Sequence, residues 1–255
     1  MSALVYFVGT AGSGKSTLTY AFQQWMQLNG YNAVTVNLDP GTESLPYVPD
    51  IDIRDWLSLR QIMEEYNLGP NGAQVVCADL LALKIEEVSK ELESYECDYF
   101  LIDTPGQIEL FAYRASSRHI VEKLGKEKTL LAILFDPLLA KMPSSFIAQL
   151  MLGASIQFRF NIPSVRLLSK VDMLSQDEIA RIKLWSEEPY ELLESAISEE
   201  PSMQMQVSVA MLKSIEEVNI CKTLIHTSAE TLFGLEDLYN AVQQCFFGGE
   251  DLEKH

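Results

Sequence analysis

The sequence predicts an α/β fold, a mostly parallel central sheet with helices on both faces, in a single domain spanning 1–255. Three observations predict it. Short apolar runs recur along the chain, and each ends in a polar, chemistry-bearing loop, as strands of an open parallel sheet do. The first run, Leu4-Val5-Tyr6-Phe7-Val8, passes through Gly9-Thr10-Ala11-Gly12-Ser13-Gly14-Lys15-Ser16 into helical spacing of apolar residues over 17–26. Apolar residues make up 47% of the chain, enough to bury a core and too many for a disordered one.

The glycine-rich stretch matches G-x-x-x-x-G-K-[ST] between a strand and a helix, the context in which that spacing has physical meaning. Successive backbone N–H groups converge on a phosphate there, and the helix dipole adds to the attraction. The expected contacts come from Gly12, Ser13, Gly14, Lys15, Ser16 and Thr17. Lys15 bridges the β- and γ-phosphates, and the Ser16 hydroxyl ligates Mg²⁺. A nucleoside triphosphate is therefore the expected ligand.

Asn29-Gly30 ends the first helix, and residues 33–38 read as a second strand delivering Asp39-Pro40-Gly41. A carboxylate at that strand end can serve Mg²⁺, anchor the attacking water, or simply form an Asp-Pro turn. The acidic stretch 46–56 follows, where Asp50, Asp52 and Asp55 are expected to cap a helix running through Tyr66. Asn67-Leu68-Gly69-Pro70-Asn71-Gly72 is a dense turn signal before a second, longer helix. The pair reads as a helical insertion at about 50–96.

Residues 98–102 form the third strand and end in Asp103-Thr104-Pro105-Gly106-Gln107. An Asp closing a buried strand holds a Mg²⁺-bound water, and the Gly106 N–H faces the γ-phosphate, so this loop can sense it. Strands follow at 129–135 and 163–168, with an apolar helix at 142–160 between them. The fifth strand leads into Ser169-Lys170-Val171-Asp172. An Asp at that point accepts from N1–H and the 2-amino group of guanine, whereas adenine would leave it unpaired. Residues 175–219 are acidic, helical and variable in character, broken by Pro189 and Pro201, with no assigned chemistry. A sixth strand at 221–227 ends in Thr227-Ser228-Ala229, a place for backbone contact with guanine O6, and Gly234 opens a last helix to Phe247.

A formal net charge of −17 excludes broad electrostatic binding to nucleic acid or anionic lipid, since both require basic surface. The four cysteines form no C-x-x-C pair and read as reduced core residues, and the three histidines show no ligand spacing. No apolar run is long enough for a membrane span, and the first strand follows Met1-Ser2-Ala3 directly, so a cytoplasmic location is expected.

With these motifs in this order, the chain resembles the GPN-loop GTPases, and the compact archaeal type in particular. The residues that carry the resemblance are Asp39-Pro40, Asp50-Ile51-Asp52-Ile53-Arg54, Gly69-Pro70-Asn71-Gly72, Asp103-Thr104-Pro105-Gly106-Gln107-Ile108-Glu109 and Ser169-Lys170-Val171-Asp172. The resemblance implies a homodimer with the nucleotide sites facing the interface. It implies that Asn71 reaches the partner's phosphates, and that a protein client such as an RNA polymerase assembly is conceivable. The expected reaction is Mg²⁺-dependent hydrolysis of GTP to GDP and phosphate. Asp39 is the first choice for orienting the water and Gln107 the second; Lys15 and Asn71 complete the catalytic set, while Ser16, Asp39 and Asp103 serve the metal. Two other readings share the motifs: a GTP-binding dimer scaffold without required turnover, and a P-loop small-molecule kinase. The seven arginines form no cluster of the kind a kinase lid needs, which speaks against the second.

Overall fold

The computed structural model describes residues 2–199, 203–217 and 224–247. Its centre is a seven-stranded sheet in the order β3-β2-β4-β1-β5-β6-β7, and every pairing between neighbours is parallel. In chain order the strands are β1 (Ala3–Gly9), β2 (Ala33–Asn37), β3 (Ile51–Asp52), β4 (Tyr99–Asp103), β5 (Thr129–Phe135), β6 (Ser164–Leu168) and β7 (Leu224–His226). The helices are α1 (Lys15–Leu28), α2 (Leu59–Tyr66), α3 (Pro70–Leu92), α4 (Ile108–Ala112), α5 (Ala115–Gly125), α6 (Pro137–Ala140), α7 (Pro143–Phe160), α8 (Gln176–Glu187), α9 (Pro189–Ile197), α10 (Met203–Glu217) and α11 (Leu235–Phe247).

Alternation along β1 builds both layers. Ala3, Val5 and Phe7 join a core with Leu18 and Phe22 of α1 and Leu238 and Val242 of α11. Leu4, Tyr6 and Val8 point the other way, into a core with Ile85 of α3, Ile120 of α5 and Ile147 of α7. Because helices cover both faces, the central strands read as continuous apolar runs. All loops leaving the carboxyl ends of the strands open on one edge of the sheet, where ligands bind in this architecture.

Three local expectations change. Ile51–Asp52 is a short edge strand that the acidic stretch concealed, so the described sheet has seven strands where six were expected. The acidic residues do not cap α2: the Ser58 side chain accepts from Gln61 N–H, and Asp52 caps the 3₁₀ turn Ile53–Asp55. Asp50 instead accepts from the backbone N–H and hydroxyl of Thr35 and from Gln23. The turn before α3 is also shorter than expected, since Gly69 is the N-cap and Pro70 already occupies the first helical turn.

The acidic stretch 175–199 forms α8 and α9, and Pro189 begins α9 at a position where its missing N–H costs nothing. Trp185, Leu192 and Leu212 carry α8, α9 and α10 into the same core as α7. Pro201, residues 221–223 of the sixth expected strand and the acidic end 248–255 lie outside the described residues.

Candidate nucleotide site

The phosphate loop turns out of β1 with Gly12 and Gly14 at positive φ, a conformation glycine adopts without steric cost. Gly14 is the N-cap of α1 at φ 92°, and a Cβ there would lie 3.0 Å from Lys170 Cε. Lys15, the first residue of α1, is buried. Its ammonium donates to the carbonyls of Gly9 and Thr10 at 3.0 Å and of Gly106 at 3.1 Å. Burial pulls its pKa down, and the charges of Asp103 and Asp39 oppose that shift. Ser13 is buried, Ser16 is half-buried, and Thr17 is exposed at the mouth of the loop.

Asp103 closes β4 with 1% of its surface exposed. Burial pushes its carboxyl up to about 6, against the hydrogen bond from Ser16 and the charge of Lys15. The Tyr47 hydroxyl donates to Oδ2 at 3.3 Å, while Oδ1 has no geometrically satisfactory donor among the described residues. A buried carboxylate with a lone pair to spare beside a serine hydroxyl is a hard-oxygen donor set that fits Mg²⁺. Tyr47, stacked on Tyr20 at 5.9 Å, ties the 39–50 connection to this carboxylate; nothing in its local sequence signals the role.

Asp39 leaves the end of β2 and uses both carboxylate oxygens. Oδ1 accepts from Gly41 N–H at 2.8 Å, and Oδ2 accepts from Gly106 N–H at 2.9 Å. Gly106 therefore joins the two halves of the site, giving its N–H to Asp39 and its carbonyl to Lys15. The N–H expected to face a γ-phosphate is held by Asp39 in this structure. Asn37 braces the same loop, accepting from Asp39 N–H and donating to Asp39 carbonyl and Asp52. Arg54 pairs with Asp52 and reaches the Thr42 carbonyl, so Asp52 and Arg54 act on the site through backbone placement. Beside Asp39 lies a cavity of about 240 Å³ lined by residues including Ala11, Gln74, Cys77, Gly106, Gln107 and Leu110. Gln107, the N-cap of α4, thus borders the same space as Asp39.

The loops expected to read the base converge at the other end. The Ser169 hydroxyl lies 2.8 Å from the Ser13 carbonyl and 3.0 Å from the Phe135 carbonyl, its one proton serving either, while Ser169 N–H donates to the Phe135 carbonyl at 3.1 Å, so the end of β6 is tied to the phosphate loop. Lys170 donates to Gly12 carbonyl, so its stem runs along the loop as a base-stacking lysine must. Asp172 is exposed, and the buried Ser228 donates to its carboxylate. The side chain of Ser228 therefore orients Asp172, a role beyond the backbone contact expected from sequence. Ala229 is half-buried beside it.

Gly69, Pro70 and Asn71 are all exposed at the end of the α2–α3 hairpin. Asn71 does not line the cavity beside Asp39, whereas Gln74, one turn further along the same helix, does. Sequence patterning alone missed Gln74 and Tyr47, whose surroundings come from segments far along the chain, and Asn37, which braces Asp39 two residues on and Asp52 fifteen residues on.

A parallel sheet, a lysine-bearing phosphate loop, a buried aspartate at the neighbouring strand end and a Lys-x-Asp loop at the base end together define a P-loop nucleotide-binding protein. Residues 7–247 match a protein family described as "Conserved hypothetical ATP binding protein". The GPN-loop GTPase PAB0955 of Pyrococcus abyssi is 36% identical over 92% of this chain and 94% of its own length. Its apo crystal structure superimposes with a TM-score of 0.86, covering 96% of this chain and 98% of that one. GPN-loop GTPase QQT2 of Arabidopsis thaliana is 30% identical over 92% of this chain, which spans 62% of that longer relative. The chain belongs to the GPN-loop GTPase family.

Proposed function

We propose that this protein hydrolyses GTP to GDP and phosphate with Mg²⁺, and that it works as a nucleotide-controlled homodimer. The observation that carries the chemistry is Gly106, whose N–H meets Asp39 while its carbonyl meets Lys15. One peptide unit thereby links the phosphate-binding cation to the carboxylate expected to orient water. Lys15 and the backbone N–H groups of the phosphate loop stabilise charge on the transferring phosphoryl group, positions being set before the reaction begins. Ser16 and Asp103 would hold Mg²⁺, with Asp39 in its outer shell, and the ion supplies charge neutralisation on the phosphates. Asp39 is the first water-orienting group and Gln107 the second.

Guanine is the base this site favours, although the matched family is described as ATP-binding. Asp172 presents only acceptors to the base edge, which suits the two donors of guanine and leaves adenine unable to answer them. Support for the homodimer is the exposed Gly69-Pro70-Asn71 tip, whose amide does not line its own chain's cavity and is open to another subunit. A protein client remains an expectation from the resemblance. No described helix is long and apolar enough to cross a membrane, and the cytoplasmic placement is part of the proposal.

Single-turnover hydrolysis tests the reading, with GTP and ATP compared and Mg²⁺ present or chelated. Asp39→Ala should keep GTP affinity within a few-fold and slow hydrolysis by about 100-fold, as expected of a group acting chiefly in the transition state. A native rate in that variant reduces Asp39 to a turn residue, and equal use of ATP and GTP removes the base assignment.

A further inference from the structure

We infer that Gln74 is a water-positioning residue for hydrolysis, supplied by α3 to the site of its own chain; this rests on the hydrolase reading above. Gln74 lines the cavity that Asp39, Gly106 and Gln107 also border. Its Oε1 is buried, and no group of the described protein donates to it. Gln74 and Asp39 flank Gly41 together: a Cβ placed on Gly41 would meet Gln74 Cγ at 3.9 Å and Asp39 Oδ1 at 3.2 Å, a separation that a water can bridge.

A buried amide oxygen without a donor is unfavourable, so such a group persists where water or a ligand completes it. A cavity of about 240 Å³ has room for several waters. Its wall includes Ala11 of the phosphate loop and Gly106, the residues that face the last phosphate of a bound triphosphate. Rotation of the Gln74 amide turns Oε1 into this cavity, and water held there between it and the Asp39 carboxylate stands on the side of the phosphate from which an in-line attack must come. Gln74 and Asp39 each accept one of its O–H groups, which aims the oxygen lone pair at phosphorus. The water oxygen forms the new P–O bond as the bond from phosphorus to the β–γ bridging oxygen breaks, and the electron pair leaves with GDP. One water proton stays on the product as its hydroxyl, and the other is released to solvent.

The division of labour along α3 follows from its geometry. Asn71 and Gln74 are three residues apart, so they share one side of the helix a turn apart. Asn71 is exposed at the helix start, while Gln74 borders its own cavity. The helix start thus leaves the Asn71 amide exposed, and the next turn of the same side brings Gln74 to the cavity.

The test uses the full chain with GTP and Mg²⁺, and compares Gln74→Met, which keeps length and removes hydrogen bonding, with Gln74→Glu, which keeps the acceptor oxygen. Single-turnover rate, affinity for a fluorescent GTP analogue and thermal midpoint are measured together. Gln74→Met should slow hydrolysis by about 10- to 100-fold while affinity stays within about twofold and the midpoint does not fall. Gln74→Glu should recover most of the rate. A native rate in Gln74→Met overturns the inference alone, and parallel losses of rate, affinity and midpoint make Gln74 a structural residue. Absence of hydrolysis by the native protein overturns the hydrolase reading and this one with it.

Discussion

Asp103 and Lys15 are both buried, and in the proposed site they would present charge to a phosphate–metal complex. Without that complex, burial weighs on both: it lifts the Asp103 carboxyl to about 6 and lowers the Lys15 ammonium. The folded pKa of Asp103 lies above its unfolded value, so between about pH 4 and 6 the native state binds more protons. The stability of the ligand-free protein accordingly falls as pH rises through that window. Asp103→Asn, which never ionises, should raise the thermal midpoint of the ligand-free protein by a few degrees near about pH 8. The gain should shrink toward about pH 5, where Asp103 itself is mostly protonated, and Mg²⁺-dependent tightening of nucleotide binding should disappear. Melting curves at the two pH values check the first part, and nucleotide release on chelation checks the second. A gain that does not depend on pH would show that the cost at Asp103 is not one of charge.

At the scale of elements, the site depends on turns that hold neighbouring strand ends in register. The loop after β7 is such a turn: Ser228 N–H donates to Phe233 carbonyl, Thr231 N–H donates to Ser228 Oγ, and Gly234 then opens α11. Gly234 has φ 74°, and a Cβ there would fall 1.8 Å from His226 carbonyl oxygen. That is backbone against backbone, so the last strand and α11 must separate. Gly234→Ala should destabilise the protein by about 2 kcal/mol or more and weaken guanine-nucleotide binding, since Ser228 then loses its hold on Asp172. Chemical denaturation and nucleotide titration test the pair of effects. Weak binding without destabilisation would mean that the loop reads the base without help from the α11 junction. The hairpin α2–α3 shows the same economy: Ser58 caps one helix, and Gly69 with Pro70 starts the other, leaving the Asn71 tip exposed.

At the scale of the whole molecule, the exposed tip makes a prediction about two chains. Lys15→Ala should silence its own phosphate loop and leave Asn71 intact, while Asn71→Ala should spare its own loop and deprive the partner. Each variant homodimer is then poorly active. In mixed dimers one of the two sites is complete, so random mixing should restore roughly a quarter of native hydrolysis, with positioning by Asn71 as the missing contribution. Isolation of the mixed species through two affinity tags secures the test. No recovery in confirmed mixed dimers would place Asn71 within its own chain's work or in holding the dimer together.

Local chemistry determined much of this protein in advance. The phosphate loop, Asp103 at a strand end, and Ser169-Lys170-Val171-Asp172 are short motifs whose spacing is set by one turn or one strand, so they can be read along the chain. The parallel sheet was legible for the same reason, since strands covered on both faces must be continuously apolar. Ile51–Asp52 escaped because two residues carry no periodicity, and only pairing with β2 makes them a strand. Asp50, Asp52 and Asp55 looked like helix caps because capping is a local rule; the partners that Asp50 and Asp52 meet, Thr35 and Asn37, lie fifteen residues earlier and depend on sheet register. Tyr47 against Asp103, Asp39 against Gly106 and Gln74 beside the cavity are contacts between segments far apart in sequence. Such contacts exist only once packing has closed the loops between them, so tertiary structure alone decided these pairings and brought Tyr47 and Gln74 to the site.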